Sequence, residues 1–148
     1  GTATYTTTFT VDQLDRKSAY CLDLGKVMNL AVVRVNGRDA GTLWTPPFRT
    51  DITRLLHKGQ NTLEIEVSNL WVNRLIGDEC GPTDTEWPAG GRGGRGQRML
   101  KVPEWLEKGL PRPSAGRKTV VIYKAFAKDD PLVESGLIGP VEILRTER

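Results

Sequence analysis

The sequence contains few of the side chains that most catalytic and metal sites use. Among its 148 residues are one histidine, His57, and two cysteines, Cys21 and Cys80. Together they do not complete a convincing zinc site, which takes four ligands. His57 has no serine or cysteine partner identifiable in the sequence, so it is not a credible base of a catalytic triad. Cys21 is predicted to face inward from a strand and Cys80 to lie in a polar loop; one disulfide is allowed but not required.

Long apolar runs and an excess of charge of one sign are also missing. No apolar segment approaches the ~20 residues of a membrane-spanning helix. Gly1–Tyr5 has neither the basic start nor the apolar core of a signal peptide. We therefore expect no membrane partner and a chain that begins as a processed or excised segment. The net charge of +3 arises from interleaved basic and acidic residues, which implies no long-range electrostatic steering.

A short Arg/Gly run, Arg92–Gly96, is the one segment similar to nucleic-acid-binding sequences. Such segments bind single strands by charge and by stacking. This run is very short, and no aromatic residues are interleaved in it. It is therefore more typical of a flexible loop, and we expect no nucleic-acid partner.

Apolar and polar residues alternate along several short segments, as they do in half-buried strands. The clearest case is Thr62–Val67. Asn36-Gly37, between Leu30–Val35 and Ala40–Trp44, is a strong hairpin signal because both turn residues must take positive φ. Further strands are predicted at Tyr5–Val11, Ala19–Leu24, Thr119–Phe126 and Val141–Leu144. About seven short strands joined by turn signals predict an all-β fold, a β-sandwich of jelly-roll type.

The chain length is that of one domain with a single core, so we expect one domain over residues 1–148. A long irregular insert is predicted at about 69–117, and three of the four tryptophans lie in it. Loops this long in a compact domain are usually functional or disordered. Within it, Val102–Leu106 is predicted to make one helical turn, because Pro103 suits the first helical position.

The stretch Ser68–Asp78 is the strongest candidate for ligand contact. It follows an alternating strand and then combines an indole, amides, a guanidinium and a carboxylate. An aromatic face stacks on sugar C–H groups, while the polar groups bond hydroxyls. The candidate contact residues are Trp71, Asn73, Arg74 and Asp78. The alternative is a loop held by its own side chains, in which Arg74 and Asp78 pair with each other.

Two further tryptophans are candidate stacking residues. Trp44 ends a predicted strand just before Pro46-Pro47, and it is either a core plug or a stacking platform for a sugar. Trp87 stands next to Pro88 in a polar segment and is the aromatic residue most expected to be exposed. Exposure alone is weak support for binding, because scattered surface apolar residues are normal.

The order of several motifs resembles a known family. Leu22–Val27, Val35–Gly37 and Gly41–Trp44 are similar to the galactose-binding-like β-sandwich of family 2 glycoside hydrolases. A closer resemblance is to the C-terminal domain of bacterial α-L-rhamnosidases of glycoside hydrolase family 106. The motifs that carry it are Leu43–Phe48 with Asp51–Thr53, Asn69–Asp78, Pro103–Leu106, Pro111–Pro113 and Ser135–Val141.

The resemblance implies a domain that serves a larger enzyme. Members of that family are long multidomain enzymes that remove rhamnose from plant polysaccharides and glycosides, with their acid and base carboxylates in a catalytic barrel. This chain lacks the length and the strand–helix alternation of such a barrel, so no catalytic residue is carried over. The implied partners are a plant glycan and a catalytic domain of the same parent protein. The implied location is secreted or periplasmic in a bacterium, and no cofactor is expected beyond the structural calcium that some domains of this fold bind.

Three functions remain open. The first is an ancillary carbohydrate-binding domain that uses tryptophan stacking and hydrogen bonds to hydroxyls. The second is a purely structural domain that packs on a catalytic barrel. The third is a stand-alone glycosidase, which needs two carboxyls roughly 5–9 Å apart across a bond. Glu64 and Glu66 are spaced about 7 Å apart on one strand face, but outward glutamates are the ordinary solvated face, so the chain alone is expected to lack activity.

Overall fold

The computed structural model describes residues 1–89 and 96–147. In that part of the chain, eleven strands and two short helices follow one another. The strands are β1 (Thr2–Val11), β2 (Ser18–Asp23), β3 (Lys26–Met28), β4 (Leu30–Val35), β5 (Arg38–Leu43), β6 (Arg49–Asp51), β7 (Gly59–Ser68), β8 (Gln97–Arg98), β9 (Tyr123–Lys124), β10 (Gly136–Gly139) and β11 (Glu142–Glu147). The helices are α1 (Val72–Asp78) and α2 (Glu104–Glu107). Except for Gly96, the Arg92–Gly96 run lies outside the described residues.

These elements belong to two units. The first comprises Gly1–Leu70 with Glu134–Arg148 and contains β1 to β7, β10 and β11. The second comprises Trp71–Val133 and contains both helices, β8 and β9. The predicted insert at about 69–117 falls mostly in the second unit. The assignment of residues 1–148 to one domain stays a prediction.

The larger sheet of the first unit is built around β7. This strand pairs antiparallel with β1 on one side and with β4 on the other, and β5 extends the sheet beyond β4. Every second residue of β7 from Asn61 onward is buried, as expected for a strand with one face on a core. Val33 of β4 lies opposite Ile65, and Val35 lies opposite Leu63. Neighbouring strands therefore direct aliphatic side chains to the same face.

A second sheet of the first unit contributes to the same core. Its middle strand, β2, pairs with β11 and β6, and it buries Tyr20 and Leu22. These side chains join the aliphatic residues of β4 and β7 in one cluster, which also includes Phe48 and Ile52. A further antiparallel pair is formed by β3 and β10. The predicted all-β sandwich fold is confirmed.

The turn between β4 and β5 is the one predicted at Asn36-Gly37. Asn36 has a φ of 53° and Gly37 a φ of 72°, which are the positive values that a type I′ turn requires at both central positions. The hairpin register supports this, because Val35 pairs with Arg38 directly across the turn. The hairpin prediction is confirmed.

A buried amide network ties this turn to the start of β7. Asn61 is fully buried, and its Oδ1 accepts hydrogen bonds from Nδ2 of Asn36 (2.8 Å) and from the His57 amide (3.0 Å). Its Nδ2 donates to the carbonyls of His57 (2.8 Å) and Gly59 (2.9 Å). Asn36 also donates to the Leu55 carbonyl at 2.9 Å. Because every polar atom of the Asn61 side chain is satisfied, the network stabilises a single arrangement of this end of the sheet.

The second unit contains little regular structure. Its two strands, β8 and β9, are each two residues long and pair antiparallel. The predicted strand Thr119–Phe126 is wrong in extent, since only Tyr123–Lys124 is a strand. The amides of Lys118 and Thr119 instead donate to the Asp78 carboxylate at 3.0 and 2.7 Å. The backbone there bonds to a side chain rather than to a neighbouring strand.

Both cysteine thiols are free. The prediction that Cys21 faces inward is wrong, because its neighbours Tyr20 and Leu22 take the buried positions of β2. Successive residues of a strand point to opposite faces, so Cys21 lies on the other face of its sheet. Cys80 is exposed and follows α1.

Replacement of Asn61 by alanine should strongly destabilise the first unit. The substitution leaves the His57 amide and the carbonyls of His57 and Gly59 without the Asn61 side chain as their partner, and it removes one of the two acceptors of Asn36 Nδ2. We expect the free energy of unfolding to fall by about 3 kcal/mol, measured by urea denaturation. The control is Gln60→Ala at the exposed position on the other side of Asn61, which should cost less than about 1 kcal/mol. Equal losses in the two variants would contradict the role assigned to the amide network.

Candidate functional site

Trp44 of the first unit lines an open hollow. It directly follows β5, and 74% of its surface is exposed. The hollow has a volume of about 480 Å³, which lies within the range of small-molecule sites. Its other lining residues are Gly25, Lys26, Val27, Met28, Asn29, Pro46 and Phe48. The lining is therefore mainly apolar, with an ammonium and an amide as its polar side-chain groups.

Local sequence explains how the walls of the Trp44 hollow form. Pro46-Pro47 follow β5 and have no amide hydrogen to extend its pairing. Gly25 has a φ of +61°, and a Cβ there would lie 2.5 Å from the carbonyl carbon and oxygen of Gly139, so only glycine fits. The Leu24 amide donates to the Phe48 carbonyl at 2.9 Å. This bond joins the two segments that carry the lining residues, and Phe48 anchors one of them in the core.

The polar side chains of the Trp44 hollow are partly engaged. The Lys26 ammonium pairs with the Glu134 carboxylate, and both side chains are about half exposed. Oδ1 of Asn29 accepts a hydrogen bond from the Leu70 amide at 3.2 Å. That bond orients the Asn29 amide and leaves its Nδ2 as a donor without a partner among the described residues. The hollow thus offers one fixed donor beside an exposed indole.

The stretch Ser68–Asp78 contains α1, where the sequence predicts an irregular loop. Trp71 immediately precedes this helix and is 62% exposed. The Asn73 side chain is bonded within the second unit: its Nδ2 donates to the Val133 carbonyl at 2.8 Å, and its Oδ1 accepts from the Val133 amide at 2.9 Å. The side-chain amide of Asn73 therefore pairs with both backbone groups of Val133, as the backbone of a neighbouring strand would.

Arg74 and Asp78 form an ion pair along α1. Their spacing of four residues places them on one face of the helix, with Arg74 Nη1 3.1 Å from Asp78 Oδ1. Asp78 is only 3% exposed, whereas Arg74 remains exposed. Asp78 Oδ2 also accepts hydrogen bonds from the Lys118 amide and from the amide and hydroxyl of Thr119. The pairing alternative raised by the sequence is present in the structure.

These contacts set the charge state of Asp78. Burial alone would raise the pKa of this carboxyl, because it disfavours the charged form. The hydrogen bonds from Thr119, Lys118 and Arg74 outweigh burial and lower the pKa from 3.8 to about 2. Asp78 is consequently a charged anchor at neutral pH, and its oxygens are occupied by the protein itself.

Two other buried carboxylates of the second unit were not singled out from the sequence. Glu79 pairs with Arg117 at 3.1 Å and with Lys124 at 2.8 Å. Asp84 accepts two hydrogen bonds from Arg112, which lower the pKa of its carboxyl although burial acts in the opposite direction. Each pair joins residues at least 28 positions apart. No local spacing could therefore predict them.

Trp87 is half-buried, so the expectation that it is exposed is wrong. The Nζ atom of Lys124 lies 6.0 Å from the centroid of its ring, which is within the range of a cation–π interaction. The polar residues around Trp87 in the sequence therefore did not predict the exposure of its indole correctly. Trp44 and Trp71 are the more exposed tryptophans.

The structure distributes the six predicted contact residues over both units. Trp71 immediately precedes α1, and the helix contains Asn73, Arg74 and Asp78. Trp87 belongs to the same unit. Trp44 belongs to the first unit. Sequence reasoning missed the other residues of the Trp44 hollow, because Lys26–Asn29 approach it only through the fold. Within residues 1–89 and 96–147, no group of three or more His, Cys, Asp or Glu side chains is placed to hold a metal ion.

The part of the chain that the structure describes has no helix with the length and apolarity needed to cross a membrane.

Comparison with known proteins defines the family to which this chain belongs. The model of the family "Glycosyl hydrolase 2 galactose-binding domain-like" matches residues 1–102. The chain belongs to this family of glycoside hydrolase domains. The resemblance noted in the sequence is thereby confirmed at the level of the family 2 galactose-binding-like domain.

Two individual proteins are similar over almost the whole chain. A Formosa agariphila protein named "Putative beta-glucuronidase" is 45% identical over 145 residues, which are 97% of this chain and 12% of that protein. The structure of a rhamnosidase from Novosphingobium sp. PP1Y aligns with 99% of this chain at 38% identity and a TM-score of 0.71. The alignment covers 11% of that rhamnosidase chain. The chain thus spans about an eighth or less of the length of either relative.

The Asp78 anchor should make the second unit sensitive to acid. Its folded pKa of about 2 lies below the ordinary aspartate pKa of 3.8, so its contribution is fully present above pH 3.8 and is lost as the pH falls toward 2. We expect Asp78→Asn to remove about 2 kcal/mol of this pH-dependent stability, measured by denaturant unfolding with tryptophan fluorescence between pH 5 and about pH 2.

The matched control for this experiment is Asp129→Asn, because Asp129 is an exposed carboxyl of the same unit. Its unfolding should keep the acid dependence of the unsubstituted chain. If Asp78→Asn retained that dependence as well, the anchor role of Asp78 would be wrong.

Proposed function

We propose that this chain is an ancillary carbohydrate-binding domain of a glycoside hydrolase and that it contacts glycans through the Trp44 hollow. The observation that supports this most is the indole of Trp44, 74% exposed on a hollow of about 480 Å³ in a domain of the family 2 galactose-binding-like class. An indole this exposed gains little from the core of its own unit. It is well suited to stack on the C–H face of a sugar ring.

The remaining lining of the hollow favours a deoxy sugar. Val27, Met28 and Phe48 provide an apolar floor that would receive a methyl group, and Nδ2 of Asn29 would donate to a hydroxyl. L-Rhamnose carries such a methyl group beside its hydroxyls. This chemistry agrees with the similarity to a rhamnosidase, and we propose a rhamnose-containing plant glycan as the ligand.

The residues around α1 have two kinds of role in this proposal: some contact the glycan, and others hold the segment in place. Trp71 and Arg74 are exposed and remain proposed glycan contacts, and Trp87 would contribute the uncovered part of its ring. Asn73 and Asp78 hold the segment that presents Trp71 and Arg74, through their bonds to Val133 and Thr119. Binding of this kind requires stacking and hydrogen bonds only, so we propose no cofactor.

The parent protein would be a secreted or periplasmic bacterial enzyme of the rhamnosidase type, with its catalytic residues in another domain. This proposal follows from the small share of each relative that the chain covers. Catalysis by Glu64 and Glu66 is disfavoured, because Glu64 is engaged in an ion pair with Arg34 at 2.7 Å on the solvated strand face. We therefore propose that the isolated chain does not hydrolyse glycosides.

A purely structural role is the second candidate, and the surface of the second unit favours it. Leu100, Ile122 and Leu132 are 61–68% exposed in the isolated chain. Packing against another domain would remove these large apolar side chains from solvent. In this alternative the unit packs on the catalytic domain of the same parent protein, and the chain binds no sugar.

Isothermal titration calorimetry with rhamnose-containing oligosaccharides separates the two candidates. The carbohydrate-binding role predicts saturable heat at millimolar sugar, and Trp44→Ala should weaken binding about tenfold through loss of the stacking face. Leu132→Ala is the control, because it removes an equally exposed apolar side chain from the second unit and should leave affinity unchanged.

The thermal unfolding curve of Trp44→Ala should match that of the unsubstituted chain, since the side chain is mostly in solvent. Absence of heat with every oligosaccharide, or equal affinity of Trp44→Ala and the unsubstituted chain, would exclude the Trp44 hollow as the binding site.

A further inference from the structure

The first strand of the larger sheet has an open edge. β1 pairs with β7 and, among the described residues, with no other strand. Residues 2–8 of the strand are all exposed. They include Tyr5, which lies opposite the buried Ile65 on the core side of the sheet and is nevertheless 39% exposed. β1 is therefore uncovered along its edge and over much of its inward face.

The direction of the backbone groups in β1 follows from the bonds of β7. Even-numbered residues of β7 direct their carbonyls to the β4 side: that of Thr62 accepts from the Asn36 amide at 2.9 Å, and that of Ser68 accepts from the Asn29 amide at 3.0 Å. Because backbone groups of successive residues point to opposite sides of a strand, the odd-numbered residues of β7 bond to β1. Their partners in β1 are also odd-numbered. The residues that direct N–H and C=O groups to the open edge are therefore Thr2, Thr4, Thr6, Thr8 and Thr10.

The other edges of the two larger sheets are protected by charge. Their edge strands, β5, β6 and β11, each contain at least two charged residues. β6 is also only three residues long, and the register of β5 with β4 is interrupted by a shift. Charges, short strands and irregularities of this kind keep a further strand from adding to an edge. β1 is ten residues long, contains no charged residue and no proline, and pairs with β7 without a shift.

A second copy of the same strand is complementary to this edge. In an antiparallel pair with its two-fold axis at Thr6, this residue faces Thr6 of the second copy, Thr4 faces Thr8, and Thr2 faces Thr10. Each pair joins two residues whose backbone groups point to the open edge, so the two residues exchange both of their hydrogen bonds. Threonine side chains that lie opposite each other across strands add to the stability of the pairing.

The charges around the edge do not oppose this pairing. Glu64 of β7 lies opposite Thr6. In the paired sheet the two Glu64 side chains are three strand spacings apart, about 14 Å, which exceeds the Debye length of about 8 Å at physiological ionic strength. Each Glu64 is also neutralised by Arg34 at 2.7 Å. A neutral edge thus meets a neutral edge, whereas a charged strand would find no ion-pair partner in β1.

We propose that two copies of this chain associate through β1, as an antiparallel two-fold pair centred on Thr6 that joins two four-stranded sheets into one sheet. The contact uses the same edge of both copies, so the assembly closes as a dimer. Its interface is small, and we expect a dissociation constant on the order of 10–100 μM. Trp44 follows β5 at the other edge of the sheet, so pairing leaves the Trp44 hollow accessible. The inference is independent of glycan binding, and its failure would not affect the proposed function.

Sedimentation equilibrium of the full 148-residue chain, from about 1 to 500 μM, measures this association. We expect a reversible equilibrium between monomer and dimer and no larger species. Hydrogen exchange of the ¹⁵N-labelled chain gives a second readout at single residues. The amides of Thr4, Thr6 and Thr8 should exchange rapidly in dilute solution and about tenfold more slowly at the highest concentration. The amides of Tyr5 and Thr7, which bond to β7, should be protected at both concentrations.

Charged variants at the two-fold axis test the register. Thr6→Lys places two ammonium groups directly opposite each other and should raise the dissociation constant about fivefold or more. Thr6→Glu should weaken association in the same way, and an equimolar mixture of the two variants should restore it. The control is Thr42→Lys, which adds the same charge at an exposed position of β5, on the same face of the same sheet, and should leave association unchanged. Thermal unfolding verifies that each variant is folded, since both side chains are exposed.

The outcomes decide the proposal. A chain that stays monomeric at every concentration, with rapid exchange at Thr4, Thr6 and Thr8, would overturn it and leave the edge to a strand of another protein. A dimer that Thr6→Lys does not weaken, or that Thr42→Lys weakens equally, would show that the contact lies elsewhere. Species larger than a dimer would contradict the closed two-fold pair. Weakening by both Thr6 variants with recovery in their mixture would support it.

Discussion

The side-chain alternation of β7 is the constraint on which the sandwich depends. A slip of one residue would turn Leu63, Ile65 and Val67 from the core to solvent, so the hydrophobic effect fixes the register of the strand. Asn61 fixes the same register independently, because its amide meets its four partners in one position only. β4 pairs with β7, and β5 pairs with β4, so the register of β7 also determines the position of Trp44, which follows β5.

The first unit was predictable because its signals are local. Alternation in a strand and positive φ at Asn36-Gly37 concern residues that are adjacent in the sequence, and both predictions are confirmed. The burial of Asn61 was not predictable, since an amide becomes acceptable in a core only when distant partners satisfy it. The exposure of Trp44 was undecided for the same reason. It depends on which segments of the fold surround the end of β5.

The second unit shows where such reasoning stops. The helical turn after Pro103 was predicted from one residue, and the Arg74–Asp78 pair from a spacing of four. The helix around that pair was missed, because its short sequence includes the weak helix formers Val72, Asn73 and Gly77. The bonds from Lys118 and Thr119 that hold its last residue, Asp78, come from distant positions in the sequence. The pairs of Glu79 and Asp84 connect residues far apart in the sequence. Only the folded chain brings them together.

The two hydrogen bonds between Asn73 and Val133 close the second unit near both of its ends, across a separation of 60 residues. The backbone that leaves β7 and the backbone that returns toward β10 are thereby clasped together. For the sandwich, the long second unit is therefore equivalent to a short loop between β7 and β10. Changes in length between the clasped ends then cost the fold little, because each doubling of a loop adds only about 0.6 kcal/mol to the free energy of closing it. A single amide side chain thus holds together the two ends of a long segment whose interior can change.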